Sequence, residues 1–350
     1  MDLTAAALPA YLRARGIAPV AGDVEVRPLS GGVSNVVLLA CWDGGGVVVK
    51  QSLDRLRVAT EWRFDRARIL VERACLDTLG DLLPGAAPAV VFADDVDFVL
   101  GMTVAPDGGE VWRDALHAGR YDPGATLAAA RLLGRLQATS AAAADRLTGR
   151  FADQMPLVQG RIDPFHRAVA AAHPELAPRI EAEVRRLLAT RTVLAHGDFS
   201  PKNLIAYAGG PGAARAAAPD TGAARMVLLD CECAHWGDPA FDVAFLLCHL
   251  LADGCHDPAV LPVAATHARR FWDAYRQAGG CAHDEHAVVA ELGCILLARA
   301  DGKSPLPGLC EERRRGLREA GRRLLLDADR LAVGDAVDRA AALIRDPGGP

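Results

Sequence analysis

The chain is poor in aromatic residues: Phe, Trp and Tyr make up 5% of its 350 positions. An aromatic cage for a quaternary ammonium is therefore not suggested. It also lacks a basic excess. Lys plus Arg is 39 against 44 for Asp plus Glu, a net charge of −5, so no overall positive field would hold a polyanion and nucleic acid is not an expected partner. No apolar run is long enough to span a bilayer. The most apolar stretch, 240–252, carries Asp242 and His249 and reads as a buried helix, so no membrane partner is expected. Met1 to Ala10 shows no basic segment followed by an apolar core, and no secretory signal is read there. Nine cysteines are an odd number without the close spacing of a disulfide scaffold. Free thiols in a reducing cytoplasm are the simplest account.

The length suggests two domains, and the character of the chain changes at about residue 104. Within 1–104, Val24–Val26, Val36–Leu39 and the β-branched run Val47–Val49 read as strands, with Asp43–Gly46 as a turn. A helix is predicted from Phe64 to Leu79, with Gly80 as its stop, and Pro88–Val104 returns to short strands around Asp94-Asp95. Pro106-Asp107-Gly108-Gly109 reads as a linker. Within 105–350 helices are predicted over 125–140, 175–189, 262–277 and much of 285–345, interrupted by short strands at 193–195, 204–206 and 226–229. The Gly-, Ala- and Pro-rich stretch 208–225 reads as a mobile loop. The expected fold is α+β: an antiparallel-sheet N-lobe with one helix and a mainly helical C-lobe.

Several polar residues stand out against this frame. Asp198 and Asn203 follow the apolar strand 193–195 and can curl into one loop, the Asp accepting a hydroxyl proton and the Asn oxygen ligating a metal; the same pair could merely close a turn. Asp230 ends the strand 226–229, and strand alternation would put it on one face with Glu232, two hard oxygen ligands suited to Mg²⁺. Cys231, Cys233 and His235 lack a second cysteine pair at zinc-finger spacing, so small buried residues explain them better than a soft metal. The glycine hairpin Ser30-Gly31-Gly32-Val33-Ser34-Asn35 offers backbone N–H groups to phosphates without matching a P-loop. Lys50 ends the third strand, and Glu72 on the following helix is its preferred partner over Glu61. Each alone could be a solvated charge. Hairpin, strand lysine, helix glutamate, linker, His-Gly-Asp with Asn, then a strand-terminal Asp is the order of parts in protein kinases, which makes the expected fold a bilobal kinase-like one.

His196-Gly197-Asp198-Phe199-Ser200-Pro201-Lys202-Asn203 resembles the catalytic loop of the aminoglycoside phosphotransferase and choline kinase superfamily. Asp230-Cys231-Glu232 with Gly237-Asp238-Pro239-Ala240-Phe241-Asp242 resembles its metal segment and the helix behind. The N-terminal piece, Gly31–Asn35 with Val48-Val49-Lys50-Gln51 and Leu56-Arg57-Val58, is similar to methylthioribose kinase. The resemblance implies ATP or GTP with Mg²⁺, Asp198 as catalytic base, Asn203 and Asp230 as metal ligands, and Asp242 as a brace of the loop. Gly31, Gly32, Ser34, Asn35, Lys50 and Glu72 would then serve the nucleotide, with Met102 and Val104 at the hinge.

No acceptor-binding residues carry over. Arg299 and Lys303, four apart at a helix end, form a local positive site that could bind an anionic or polyhydroxyl compound or complement the helix terminus. His235 and Trp236 could wall an acceptor pocket, although a Trp among helices is usually core. The acidic content of 275–291 is modest, so an aminoglycoside is not compelled. The expected activity is transfer of a phosphoryl group to a hydroxyl of a small molecule, a sugar or hydroxylated metabolite, with an aminoglycoside among the candidates. The alternative is a silent nucleotide-binding pseudokinase. A protein acceptor is disfavoured because no Ala-Pro-Glu segment follows Asp230.

Overall fold

The computed structural model describes residues 3–29, 34–57, 62–208 and 224–347. Gly31, Gly32, Glu61 and most of the predicted 208–225 loop lie outside the described residues. The chain divides into two compact units, Met1–Pro106 and Asp107–Pro350.

The first unit is a five-stranded antiparallel sheet with two helices. Its strands are β1 (Glu25–Pro28), β2 (Asn35–Trp42), β3 (Gly45–Ser52), β4 (Val90–Asp94) and β5 (Val99–Met102), in the spatial order β1-β2-β3-β5-β4. Trp42 pairs with Gly45, so Asp43-Gly44 closes a two-residue hairpin with Gly44 at φ +83°. An unpredicted N-terminal helix, α1 (Leu8–Ala14), puts Leu8, Tyr11 and Leu12 into one cluster with Leu38, Ala40, Val47 and Val49. Strand alternation then sends Lys50 to the opposite face from Val49. The second helix, α2, spans Arg68–Leu82. Gly80 is therefore not its stop; the helix runs on until Leu83 leaves the helical region at ψ 69°.

The second unit is mainly helical, with two small antiparallel sheets. The strands β7 (Val193–Ala195) and β10 (His235–Gly237) form one; β6 (Glu110–Val111), β8 (Leu204–Ala208) and β9 (Ala224–Leu228) form the other, in the order β6-β8-β9. Around them lie α3 (Trp112–His117), α4 (Pro123–Ala142), α5 (Ala177–Ala189), α6 (Pro239–Asp253), α7 (Leu261–Gln277), α8 (Glu285–Asp301), α9 (Glu311–Asp327) and α10 (Val333–Arg345). Asp122, Asp238 and Asp284 cap α4, α6 and α8 by accepting from backbone N–H groups of the first turn. The predicted buried helix over 240–252 is α6, and its core residues Phe241, Val243, Ala244 and Leu247 are fully buried. Among the described residues no helix is long and apolar enough to cross a membrane.

A ten-residue π-helix, Val158–Arg167, was not foreseen. It contains Pro164, whose ring in an α-helix would press on the carbonyl four residues back, that of Gly160. The wider winding places Arg161, Ile162, Phe165 and His166 in the interior. Such segments recur at functional positions.

Candidate active site

The loop between β7 and β8 is built around Asp242. This aspartate is wholly buried in the first turn of α6, and its two oxygens accept the backbone N–H groups of His196 (2.7 Å) and Gly197 (2.8 Å). Gly197 has φ +77°, and a Cβ there would lie 2.5 Å from the carbonyl oxygen of Cys233. No other residue fits without displacing backbone, which explains the glycine of the His-Gly-Asp sequence. His196 is a brace. Its Nδ1 accepts the Asp198 N–H at 3.1 Å and its Nε2 lies 3.0 Å from the Leu229 carbonyl oxygen, the pattern of a neutral imidazole protonated on Nε2.

These ties leave Asp198 buried but unevenly satisfied. Its Oδ2 lies 2.9 Å from Arg161 Nη2 and 2.9 Å from Lys202 Nζ, and accepts from Asn203 Nδ2 at 2.9 Å. Its Oδ1 is buried without a hydrogen-bond partner. Burial alone would raise the carboxyl's pKa, but the Arg161 and Lys202 charges outweigh it and hold the group well below the usual carboxylate range. Asp198 is thus a permanent anion with one oxygen unclaimed.

Arg161 was missed at the sequence level. It lies 37 positions before Asp198 in a stretch without clear periodicity, and only the proline three residues on hinted at unusual winding. Its guanidinium donates Nε to the Gly197 carbonyl (2.8 Å) and Nη1 to the Gly160 carbonyl (2.6 Å), and it stands over the rings of Phe165 and Phe245 at 5.7 and 5.2 Å. Backbone and ring contacts therefore fix it before it meets Asp198.

The candidate metal ligands have oxygen donors only. Asn203 directs its Nδ2 at both Asp198 O and Oδ2 (2.9 Å each), which leaves its Oδ1 as the free end of the amide. Asp230 and Glu232 bring carboxylate oxygens within 4.8 Å of one another. The alternation argument for that pair is overturned. β9 ends at Leu228, and Asp230 sits in the left-handed region at φ +63°, so a turn rather than a strand presents the two carboxylates. A non-glycine residue held there costs about 1–3 kcal/mol, which the surrounding structure must supply. The donor set fits Mg²⁺.

In the first unit Lys50 and Glu72 meet as a buried ion pair, Nζ to Oε2 at 2.6 Å. Ser34 and Asn35 are also buried, but Arg68 of α2 occupies them: its Nη2 donates to the Ser34 carbonyl and lies 3.4 Å from Asn35 Oδ1. Their side-chain arrangement is a brace between β2 and α2. Met102 is buried at the end of β5, whereas Val104 is exposed.

The predicted acceptor wall does not survive. His235 and Trp236 lie in β10, paired with Ala195 and Leu194, and are buried to 1% and 3% exposure. His235 Nδ1 bonds the Cys233 carbonyl at 2.9 Å. Burial pushes this histidine down to about 4, so it stays neutral. The Arg299 guanidinium turns to Ser304, and the backbone N–H of Lys303 bonds the Pro164 carbonyl at 2.9 Å.

Comparison with known proteins adds the family. Residues 25–281 match the model of the phosphotransferase enzyme family. The chain belongs to that family. Its antiparallel-sheet unit followed by a mainly helical unit is the kinase-like division of the family's fold. No curated protein matches the chain. Solved structures similar to it include a choline/ethanolamine kinase family protein from Mesorhizobium loti, at 17% identity and TM-score 0.46, covering 97% of this chain and 99% of that one. A choline kinase from Streptococcus pneumoniae is 13% identical with TM-score 0.43, covering 96% and 97%. A spectinomycin phosphotransferase in complex with ADP and spectinomycin is 10% identical with TM-score 0.49, covering 99% and 100%. Likeness at this level says nothing of the acceptor.

Proposed function

We propose that this member of the family transfers the γ-phosphoryl group of ATP or GTP to a hydroxyl of a small molecule, a sugar or other hydroxylated metabolite. The observation that carries the reading is Asp198, a buried carboxylate with Oδ2 filled by Arg161, Lys202 and Asn203 and Oδ1 open. An incoming hydroxyl donates to Oδ1 and is oriented for in-line attack. Because Asp198 is held so firmly as an anion, it positions the hydroxyl and takes its proton late. A loose phosphoryl transition state asks for little more than positioning and charge stabilisation.

Asn203 Oδ1, Asp230 and Glu232 are the oxygens that would hold Mg²⁺. A divalent ion held there would supply positive charge toward the phosphate oxygens. Lys50, oriented by Glu72, is the proposed cation for the nucleotide's phosphates, with Met102 and Val104 as hinge contacts. A silent nucleotide-binding scaffold has no use for a braced carboxylate with an open oxygen.

The test needs no knowledge of the acceptor. Mg²⁺-ATP should raise the melting midpoint more than ATP with a chelator. Slow Mg²⁺-ATP hydrolysis with water as acceptor should vanish in Asp198→Asn, while Mg²⁺-ATP binding persists. Hydrolysis that survives the substitution would overturn the role given to Asp198.

A further inference from the structure

Arg299 is a half-buried cation whose guanidinium forms no ion pair among the described residues. It lies in the last turn of α8, and its Nη1 donates to the backbone carbonyl of Ser304 and to Ser304 Oγ at 3.1 Å. Both acceptors are neutral. Its Nε is buried without a partner, and among the described residues no carboxylate lies within ion-pair distance of it. Burial lowers its pKa from the usual guanidinium value, the mark of a charge whose lost hydration is not replaced. Arginine keeps its proton all the same. Leaving such a charge uncompensated is costly, and a protein gains by it only if something else supplies the anion.

The fold brings this charge into the electrostatic range of Asp198. Leu306 N–H bonds the Arg299 carbonyl and Lys303 N–H bonds the carbonyl of Pro164, so the segment after α8 folds back onto the π-helix that carries Arg161. Arg161 stands over Phe245, and His249 packs on the same ring at 4.6 Å between centroids. Burial, Arg299 and Lys202 all push His249 downward, to about 3, so it remains neutral among cations. Asp198 in turn lies close enough to act electrostatically on Arg299 and on His249. Arg161 and Lys202 contact Asp198, and Arg299 is a third cation within its electrostatic range. The other two carboxylates that Arg161 feels, Asp230 and Glu232, are those assigned above to the metal.

We infer that the acceptor phosphorylated at this site carries an anionic group, a carboxylate or a phosphate, in addition to its hydroxyl, and that Arg299 receives that group. The inference rests on the phosphotransferase reading for the identity of the site. A polycationic acceptor would meet three like charges there. A neutral polyol could offer Arg299 only hydroxyl oxygens, neutral acceptors like the two from Ser304 that it already has, and would leave its charge uncompensated.

The experiment is calorimetric titration of the full chain, without nucleotide, with D-glycerate, D-gluconate and glycerol 3-phosphate, against the neutral glycerol and D-glucitol and the polycation kanamycin. At least one of the three anions is expected to bind, the carboxylates and the phosphate ester telling the two anionic groups apart, while the neutral and cationic compounds do not. Arg299→Ala should weaken that anion by about ten- to a hundredfold, the range for a lost hydrogen bond to a charged group. Arg299→Lys, which keeps the charge without the fork, should weaken it by about tenfold and decides the matter if the alanine variant does not fold. Equal binding of glycerol and glycerate, anion binding that ignores both substitutions, or no response to any of the three anions would overturn the inference. Failure of the two readings can be told apart. Mg²⁺-ATP hydrolysis without an anion response strikes only the acceptor class, whereas anion binding without Mg²⁺-ATP binding strikes only the phosphotransferase reading.

Discussion

The loop between β7 and β8 and the helix behind it each contribute one buried aspartate, and the two are finished differently. Asp242, in α6, has both oxygens filled by backbone N–H groups of the loop. Asp198, in the loop, has one oxygen filled three times over and the other left open. Both are almost fully inaccessible, so burial does not distinguish them. What distinguishes them is the unfilled hydrogen-bonding capacity, which costs stability and can be recovered only when a ligand arrives. The region around Asp242 is built to stay as it is; the region around Asp198 is built to be completed.

The contrast is broken most directly by exchanging activity for stability at the two positions. Asp198→Asn should lower turnover by about a thousandfold, within the range for a positioned acid or base, and should also cost stability, because Arg161 stays buried without its anion. Rates of ADP release and chemical denaturation check both halves, and a large loss of stability with modest loss of rate would erase the distinction. Asp242→Ala should act on stability first. It strands two buried N–H groups at about 1–3 kcal/mol each, and its denaturation midpoint should fall sharply before any rate is considered.

A smaller effect sharpens the account of Asp198. Arg161→Lys loses the bonds to Gly160 and Gly197 and should slow turnover by about tenfold. Because Arg161 is the largest of the charges that depress the Asp198 carboxyl, the acid limb of the rate profile should move to higher pH in Arg161→Gln, which removes that charge. An unmoved limb would mean that Arg161 only supports the loop.

A pH effect on stability probes the dry side. His235 is held neutral by burial down to about 4, so it takes up a proton in the unfolded chain before it does in the folded one. Stability should therefore drop as pH falls below the ordinary histidine value, by about 1.4 kcal/mol per unit, until pH approaches that lower value. His166 beside Glu291 is raised, although burial opposes it, and works in the other sense. The clean measure is thus the difference between the parent chain and His235→Asn, whose pH dependence should be flatter.

The parts written as a local motif were legible: His196 to Asn203, the Lys50 and Glu72 pair, and the alternation of sheet and helix. The first is fixed by a single loop, and the pair follows from the order of strand β3 and helix α2, both of which the sequence reports directly. What failed depended on pairing or winding that spacing does not report. Trp236 and His235 were placed at a pocket wall because the pairing of β10 with β7 joins segments some 40 residues apart. Asp230 and Glu232 were put on a strand face because a positive φ at an aspartate leaves no trace in composition. Gly80 was given a stop's role that Leu83 performs. Arg299 was singled out for its helix-end partner Lys303, and it matters instead through what it does not touch. The Gly31-Gly32 part of the hairpin lies outside the described residues.

The winding of Val158–Arg167 has an evolutionary corollary. A coil with i to i+5 bonds holds more residues per turn than an α-helix, so loss of one residue could let it rewind to the ordinary form. The flanking turns would keep their facing, because the extra residue of the wider coil is absorbed locally, and only the side chains inside the stretch would change direction. Arg161 would leave Asp198 while the fold survived. Relatives that differ by one residue in this stretch should thus form a natural series in which the loop is retained and its brace comes from elsewhere.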